Sequence, residues 1–154
     1  MYKSGRFVAD ALGNLEESQV QPNGVDLTLG AVYEQVEAGR IEHGDKTVGT
    51  REERDPEDGT YRLGPGAYVV EYGEVVAVPA AHVGFVYPRS SLLRNSCMLD
   101  TAVWDAGYEG RGEGLLEVHH TIEIERGARI AQFVLAEAAT EETYEGDYQY
   151  ENMD

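Results

Sequence analysis

Short apolar runs that alternate with polar residues and end at glycine or proline make up most of this chain. Residues 25–29 (VDLTL) alternate apolar and polar positions, a period typical of a half-buried strand. Residues 31–37 and 40–42 continue as short extended pieces. Further β-rich runs occupy residues 61–63, 67–72, 74–78, 83–87, 98–104, 115–118, 121–125 and 128–136. Many short strands between turns predict an all-β barrel or sandwich.

Three kinds of segment depart from this strand pattern. Residues 4–12 predict a short N-terminal helix, and residues 90–96 predict a single helical turn. Residues 43–59 are rich in Gly, Asp, Glu and Arg, which predicts an exposed, mobile loop. From about residue 139 to 154 the chain is acidic and tyrosine-rich, with no apolar period. We expect a single domain over residues 1–154 that ends in this tail.

The candidate chemistry is concentrated between residues 87 and 112. Arg89, Ser90, Ser91 and Arg94 place two guanidinium groups and two hydroxyls within six residues. This combination suits the oxygens of a phosphate group. The alternative is a surface turn with solvent-exposed arginines.

A carboxylate and an aromatic ring follow shortly after these groups. Asp105 comes after an apolar run, so we place it at a strand end, where it suits the role of a general base. Tyr108 lies between Gly107 and Gly110, and its ring suits stacking on a flat or sugar-like ligand. Together these residues indicate a site for a phosphorylated small molecule. The alternatives are a turn-capping Asp105 and a core-filling Tyr108.

The charge balance limits the partners and predicts the working conditions. The 154-residue chain carries 29 acidic and 12 basic residues, a net charge of −17, and Lys3 and Lys46 are its only lysines. Such an acid excess repels nucleic acid and anionic membranes. Lysine depletion predicts a halophilic protein, with an ordinary acidic protein as the alternative. Half of the ten arginines lie between residues 89 and 129, where a polyanion is expected to bind.

Other features concern location and metal chemistry. The chain has no apolar run of 18 residues and no charged-then-apolar leader, so we expect a cytoplasmic protein. Cys97 is the only cysteine, which excludes a disulfide framework and the Cys-x-x-Cys zinc site of the zinc-dependent deaminases.

Four stretches, in order along the chain, resemble the motifs of the dUTPase and dCTP deaminase superfamily. Residues 21–30 (QPNGVDLTLG) are similar to its first motif in the deaminase-branch form, and residues 88–92 (PRSSL) to its second. Residues 102–108 (AVWDAGY) are similar to the third motif, and residues 127–133 (GARIAQF) to the fourth. The resemblance implies a distorted jelly-roll-like β-barrel, usually a homotrimer.

The resemblance also implies a reaction, the hydrolysis of dUTP to dUMP and pyrophosphate. Asp105 would activate the attacking water, and Tyr108 would stack on the deoxyribose. Arg89, Ser90 and Ser91 would contact the phosphates. Arg94 has two implied roles, either as a phosphate contact or as a deaminase catalytic residue.

Further site residues follow from the resemblance. Gln132 would contact phosphate, with pairing inside the sheet as the alternative. Asp26 would help to hold Mg²⁺ through water or order the site, with a surface position at a strand edge as the alternative. Mg²⁺ prefers phosphate oxygens and water.

The C-terminal end departs from the dUTPase pattern. The glycine-rich fifth motif is missing, and residues 144–149 (YEGDYQ) resemble the tail of the deaminase branch instead, with Gln149 as a substrate-binding residue. Asp147 stands where a phosphate-binding lysine is common. The best match is an archaeal-type dUTP diphosphatase of the deaminase-like branch. The alternatives are a dCTP deaminase, a bifunctional enzyme, and a non-catalytic nucleotide-binding module.

The deaminase alternative depends on one glutamate. In the deaminases a proton-shuttling glutamate lies five residues after the second glycine of the Gly-x-x-Gly turn. That glycine is Gly110 here, and Leu115 occupies the position of the glutamate. Glu113 and Glu117 lie two residues to either side, and a two-residue insertion at 111–112 would bring Glu117 into the deaminase position. Arg94 matches the other deaminase catalytic residue. We predict a dUTPase that does not deaminate dCTP efficiently.

Overall fold

The longest strand, Gly24–Gln35, lies in the middle of the main sheet. The structure, a computed structural model, describes residues 1–154. Its helices are α1 (Gly5–Leu12) and α2 (Ser90–Leu93). Its strands are β1 (Val20–Gln21), β2 (Gly24–Gln35), β3 (Arg40–Glu42), β4 (Asp45–Thr47), β5 (Arg51–Glu53), β6 (Thr60–Leu63), β7 (Gly66–Tyr72), β8 (Val76–Ala77), β9 (His82–Pro88), β10 (Cys97–Asp100), β11 (Glu109–Gly110), β12 (Glu113–Val118), β13 (Ile122–Glu125) and β14 (Arg129–Glu137).

The main sheet curls into a barrel. Its strands follow the order β10-β12-β7-β2-β14-β9, every neighbouring pair is antiparallel, and β1 and β5 also pair with β2. After β10 the chain returns to β9, where Trp104 and Gly84 exchange backbone hydrogen bonds of 2.8 and 3.1 Å. This bridge nearly joins the two ends of the sheet. The predicted all-β, jelly-roll-like barrel with a short N-terminal helix is confirmed.

Short strand pairs complete the fold. β8 pairs with β11, β6 with β13, and β3 with β4. The prediction of a loop over residues 43–59 was wrong in part, because β4 and β5 lie there and Tyr33 of β2 pairs with Glu53. These strands are almost entirely exposed, so they carry no apolar alternation that a sequence pattern could reveal.

The interior is one cluster of 25 buried residues, of which Tyr61, Tyr72 and Phe133 are the largest fully buried side chains. Burial of an apolar side chain such as Phe133 stabilises the fold by roughly 1.5–3 kcal/mol. Helix α1 packs on this core through Val8, and the Ser4 hydroxyl caps its first turn by accepting a hydrogen bond from the Phe7 N–H. Neither helix is long and apolar enough to cross a membrane.

The first half of β2 is buried on both faces, unlike the predicted half-buried strand. Val25, Asp26 and Leu27 are all buried. The outer face is covered by a 3-10 turn at Glu17–Gln19, whose Gln19 amide donates a 3.0 Å hydrogen bond to the Asp26 carbonyl. Asp26 therefore lies under a polar cover and not at an exposed strand edge.

Candidate functional site

A cavity of about 470 Å³ opens beside the point where the barrel nearly closes. Three parts of the chain surround it: the β4–β5 region, the segment from 102 to the start of β12, and the C-terminal tail. The lining residues are Val48, Arg51, Ala102, Val103, Trp104, Asp105, Tyr108, Glu113, Tyr144, Tyr148, Glu151 and Asn152.

Asp105 lies in a tight turn at the rim of this cavity. It directly follows the Trp104 bridge, and its carbonyl accepts a 3.1 Å hydrogen bond from the Tyr108 N–H. Gly107 completes the turn with a φ of +90°, a conformation that disfavours other residues. Val78 accepts from the Gly107 N–H at 2.8 Å and donates to the Tyr108 carbonyl at 2.9 Å. The backbone is thus fixed on both sides, while the Asp105 side chain faces solvent.

Tyr108 is buried against two aromatic rings. Its ring meets Trp104 edge-on at 5.0 Å and Tyr144 at 5.6 Å between centroids. The phenol donates a 2.8 Å hydrogen bond to Oε1 of Glu151. Burial, followed by the Glu151 hydrogen bond, raises the pKa of Tyr108 well above its ordinary value. Gly112 lies under the Trp104 ring, where a Cβ would approach a ring carbon to 1.9 Å, so only glycine fits.

The C-terminal tail covers the turn that carries Asp105. The Gln149 side chain accepts a 2.9 Å hydrogen bond from the Glu109 N–H and donates one of 2.8 Å to the Gly107 carbonyl. The Tyr150 N–H donates to the Glu109 carbonyl at 2.7 Å. Both polar atoms of Gln149 are therefore engaged with backbone, and its predicted contact with substrate stays a prediction.

An ion pair forms one wall of the cavity. Arg51 binds Glu113 with two hydrogen bonds, of 2.6 and 2.9 Å, and the Asn152 amide donates a third to Glu113 at 3.3 Å. Both charged side chains are about one quarter exposed. The Glu113 hydrogen bond raises the pKa of Arg51 further above its ordinary value, so this cation is permanent.

A second polar cluster surrounds Asp26. Its carboxylate is 2% exposed and lies 3.4 Å from Nε of Arg89 and 3.2 Å from Nη1 of Arg129. The Gln21 amide donates to the same oxygen at 3.1 Å. Burial raises the pKa of Asp26, and the two guanidinium groups oppose that shift. Gln132 lies directly opposite Asp26 across the β14–β2 pair.

The remaining predicted phosphate-binding groups lie on and beside α2. Arg89 is the N-cap of this helix and Arg94 its C-cap, and the side chains of Ser90, Ser91 and Arg94 are exposed. None of these residues lines the cavity. Within a single chain, Asp105 and Tyr108 therefore lie at the cavity, whereas Arg89 and Asp26 lie in a separate cluster.

The comparison with known families decides where this chain belongs. A family model described as dCTP deaminase-like matches residues 2–138. The chain belongs to the dCTP deaminase-like family. The resemblance read from the four motifs is confirmed.

Individual members of the dCTP deaminase-like family and its structural relatives agree with this. A protein of Halobacterium salinarum, named probable deoxyuridine 5'-triphosphate nucleotidohydrolase, is 56% identical over 160 residues, which is all of this chain and 97% of that protein. The crystal structure of 2'-deoxycytidine 5'-triphosphate deaminase from Agrobacterium tumefaciens is 24% identical, with a TM-score of 0.62. The match covers 87% of this chain, which spans about half of that deaminase (47%). A mutant dUTPase of Staphylococcus bacteriophage 80alpha with dUpNHpp, 17% identical, matches with a TM-score of 0.56 over 98% of this chain and 97% of that chain.

The arrangement of acidic side chains bears on whether this family member could hold Mg²⁺. No group of three or more His, Cys, Asp or Glu side chains is arranged to hold a metal. Asp26 already pairs with two arginines, so it offers little surplus negative charge. Mg²⁺ bound mainly by phosphate oxygens and water needs few protein ligands. The residues present therefore do not form a site that would hold Mg²⁺ through protein ligands alone.

Three cavity residues of this family member were not assigned from the sequence as members of the site. Arg51 lies in the segment predicted to be a loop, Glu113 was considered only as a proton shuttle, and Glu151 lies in a tail without periodicity. Arg51 and Glu113 are 62 positions apart, and Tyr108 and Glu151 are 43 apart. No local pattern could have revealed these pairs.

Proposed function

We propose that the protein is a dUTP diphosphatase that converts dUTP and water into dUMP and pyrophosphate. The observation that supports this best is Asp105, an exposed carboxylate on a rigid turn at the rim of the cavity. The name of the Halobacterium salinarum relative, probable deoxyuridine 5'-triphosphate nucleotidohydrolase, gives the substrate.

The proposed reaction assigns one step to Asp105. Its carboxylate accepts a proton from a water whose oxygen attacks the α-phosphorus. The bond from that phosphorus to the bridging oxygen of the β-phosphate breaks, and pyrophosphate leaves. Because neutral water is a poor nucleophile, a fixed general base is expected to accelerate this step by about 10²–10⁴-fold.

The binding roles are assigned to groups that match parts of the nucleotide. Tyr108 packs against the deoxyribose, where the aromatic wall excludes a bulkier ribose. The phosphates are bound by guanidinium, hydroxyl and amide groups, namely Arg89, Ser90, Ser91, Arg94, Gln132 and Gln149. A substrate-borne Mg²⁺ would neutralise phosphate charge, and Asp26 would act on it only through water.

We further propose that complete sites form between neighbouring chains of a homotrimer. The separation of the Asp105 cavity from the Arg89 cluster in one chain supports this, since hydrolysis needs both. Light scattering is expected to give a trimer, and an active monomer would contradict it. Mixing Asp105→Asn chains with Arg89→Gln chains after dissociation should restore activity. Some sites in the mixed trimers would then combine an intact Asp105 from one chain with an intact Arg89 from its neighbour.

The function is tested by identifying products. Incubation with dUTP and Mg²⁺ should yield dUMP and pyrophosphate, and incubation with dCTP should leave it unchanged. The family description favours a dCTP deaminase, alone or bifunctional, as the second candidate, and ammonia release from dCTP would identify it. Nucleotide binding without any product would indicate a non-catalytic module. The cytoplasmic location stays a prediction.

A further inference from the structure

The ion pair of Arg51 and Glu113 has hydrogen-bonding capacity to spare. Arg51 donates through Nη1 to Oε2 of Glu113 at 2.6 Å and through Nη2 to Oε1 at 2.9 Å. The Asn152 amide donates to the same Oε1 at 3.3 Å, so this oxygen already accepts two hydrogen bonds. A guanidinium has five N–H donors, and a carboxylate has about four acceptor positions. Arg51 therefore keeps donors on Nε, Nη1 and Nη2, and Glu113 keeps one acceptor position on Oε2.

Neighbouring contacts fix the pair at the wall of the cavity. The Arg51 guanidinium lies over the Tyr33 ring, 5.1 Å from its centroid. The Tyr33 hydroxyl donates to Oε2 of Glu71 at 3.1 Å, and Glu71 pairs with Glu113 across β7 and β12. Both members of the ion pair line the cavity, with side chains that are 25% and 22% exposed. The pair therefore offers a fixed polar edge to a ligand.

This edge has the hydrogen-bonding pattern of a partner for uracil. Nη1 of Arg51 and Oε2 of Glu113 are neighbours, and each retains one bonding position, a donor on Nη1 and an acceptor on Oε2. Uracil carries an acceptor, O4, beside a donor, N3–H, so the two edges are complementary. Cytosine carries a donor, the N4 amino group, beside an acceptor, N3. Cytosine would therefore set donor against donor and acceptor against acceptor, which a hydrogen-bonding site rejects strongly.

Tyr108 connects this edge to the turn that carries the proposed general base. The backbone of Tyr108 lies in the Asp105 turn, and its hydroxyl, at the far end of the side chain, donates to Glu151. The residue after Glu151 donates to Glu113. A nucleotide with its α-phosphate at Asp105 and its sugar along the Tyr108 ring would therefore direct its base toward the ion pair.

We propose that Arg51 and Glu113 determine the base specificity of the cavity. The guanidinium donates to O4 of uracil, and the carboxylate accepts from N3–H. This inference rests on the proposed function for the placement of the sugar and the phosphates. The competing role is an ion pair that only joins β5 to β12 and does not sense the base.

The test measures binding of the α,β-imido triphosphates of deoxyuridine and deoxycytidine by calorimetry, because the imido bridge resists hydrolysis. The wild-type protein should bind the uracil analogue at least about 100-fold more tightly than the cytosine analogue. Arg51→Met keeps an unbranched side chain without its donors and should lower this preference by about tenfold or more, the effect of losing a charge-assisted hydrogen bond. Thermal melting confirms that each variant is folded.

A charge swap separates the reading of the base from the presence of the ion pair. Arg51→Glu combined with Glu113→Arg keeps the pair but places the acceptor where the donor was, so the preference should vanish or turn toward cytosine. The matched control is Arg62→Glu combined with Glu123→Arg, a 2.9 Å pair between β6 and β13 that does not line the cavity. This control should keep the wild-type preference.

The outcomes for the base and for the reaction are separable. Wild-type preference in the folded swap at 51 and 113 would overturn the proposal, and Arg51→Met carries the same test if the swap does not fold. Equal binding of both analogues by a wild-type protein that hydrolyses dUTP would also overturn it and leave the proposed function intact. A wild-type protein that prefers the uracil analogue but forms no dUMP would do the reverse, and binding of neither analogue would overturn both.

Discussion

At the scale of single residues, the backbone around Asp105 does most to define the site. The Trp104 bridge and the two hydrogen bonds to Val78 hold the turn, and Gly107 supplies the positive φ that the turn requires. The carboxylate itself stays exposed and unpaired. An acidic side chain on a rigid turn, with no competing partner, is free to accept a proton from a positioned water.

Replacing Asp105 with Asn tests this role. The amide keeps the size of the side chain but cannot accept the proton, so turnover of dUTP should fall by roughly 100-fold or more. Binding of dUTP should persist, as calorimetry would show. The control is Asp10→Asn, which removes an exposed carboxylate from α1. Unchanged turnover in a folded Asp105→Asn protein would remove Asp105 from the mechanism.

The positions of residues within a local motif could be predicted from the sequence, whereas contacts between residues far apart along the chain could not. Asp105 and Tyr108 could be placed because a turn and an apolar run flank them. Glu151 could not, because its partner Tyr108 lies 43 positions away. The ion pairs of Asp26 could not be predicted for the same reason, because its partners Arg89, the N-cap of α2, and Arg129, in β14, lie far away along the chain.

At the scale of elements, the register of β12 bears on substrate choice. Glu113 lies at the cavity, but Arg51 and Asn152 engage its carboxylate. Leu115 pairs with Val69 and Asp100, and Glu117 is two residues further along. Each two-residue step is about 7 Å, whereas a proton shuttle must lie within about 3 Å of the atom it serves.

The register therefore predicts that dCTP is not deaminated efficiently. The wild-type protein should release neither dUTP nor dUMP from dCTP at a rate near that for dUTP. Product chromatography on both substrates measures this, with Glu113→Gln and Glu117→Gln as paired variants. Fast release from dCTP that is lost in Glu117→Gln would show that the turn slides Glu117 into the site.

The ends of a strand could be predicted from the sequence where one face of that strand is buried. β7 and β14 were found close to their true ends because their apolar residues pack on the core. β4 and β5 were missed because they contribute no apolar side chain to the core, and every side chain in them except that of Arg51 is exposed. Backbone hydrogen bonds leave no trace in side-chain periodicity.

A partly buried acid, Glu151, links the tail to the barrel through its hydrogen bond with Tyr108, which gives a pH prediction. Burial raises the pKa of Glu151, the Tyr108 hydrogen bond opposes the shift, and the charge of Glu113 adds to it. The folded protein thus holds this proton more tightly than the unfolded chain does. Ionising Glu151 consequently lowers stability as the pH rises from its ordinary value of 4.5 through the raised pKa.

Glu151→Gln should remove that cost while still accepting the hydrogen bond from Tyr108. The variant should melt about 1–3 °C above the wild type at pH 7, a difference that thermal scans resolve. The gain should shrink toward pH 4, where the wild-type carboxyl is protonated. Glu145→Gln, in an exposed part of the same tail, is the control. A gain of equal size at both pH values would show that ionisation is not its cause.

At the scale of the whole molecule, negative charge covers the barrel, and the proposed substrate is itself a polyanion. Most ion pairs lie at the surface, such as Arg6–Glu17 and Arg62–Glu123, and exposed pairs contribute little to stability. Many acids have no basic partner because the chain has only 12 Lys and Arg for 29 Asp and Glu. Repulsion among the unpaired surface acids is therefore larger than the attraction within the surface ion pairs. Salt weakens both effects.

This balance predicts that the protein needs salt. The Debye length falls from about 10 Å at 0.1 M to about 3 Å at 1 M, so KCl should screen the repulsion between surface acids before it affects the buried Asp26 cluster. The melting temperature and dUTP turnover should both rise from 0.1 M to molar KCl.

A triple variant, Glu52→Gln, Glu125→Gln and Glu141→Gln, removes three exposed acids that have no ion pair and should flatten the salt dependence. Sucrose at matched osmotic strength separates screening from general exclusion of solute. A melting temperature that stays flat or falls with KCl would mean that the acidic surface is not what sets the stability of this fold.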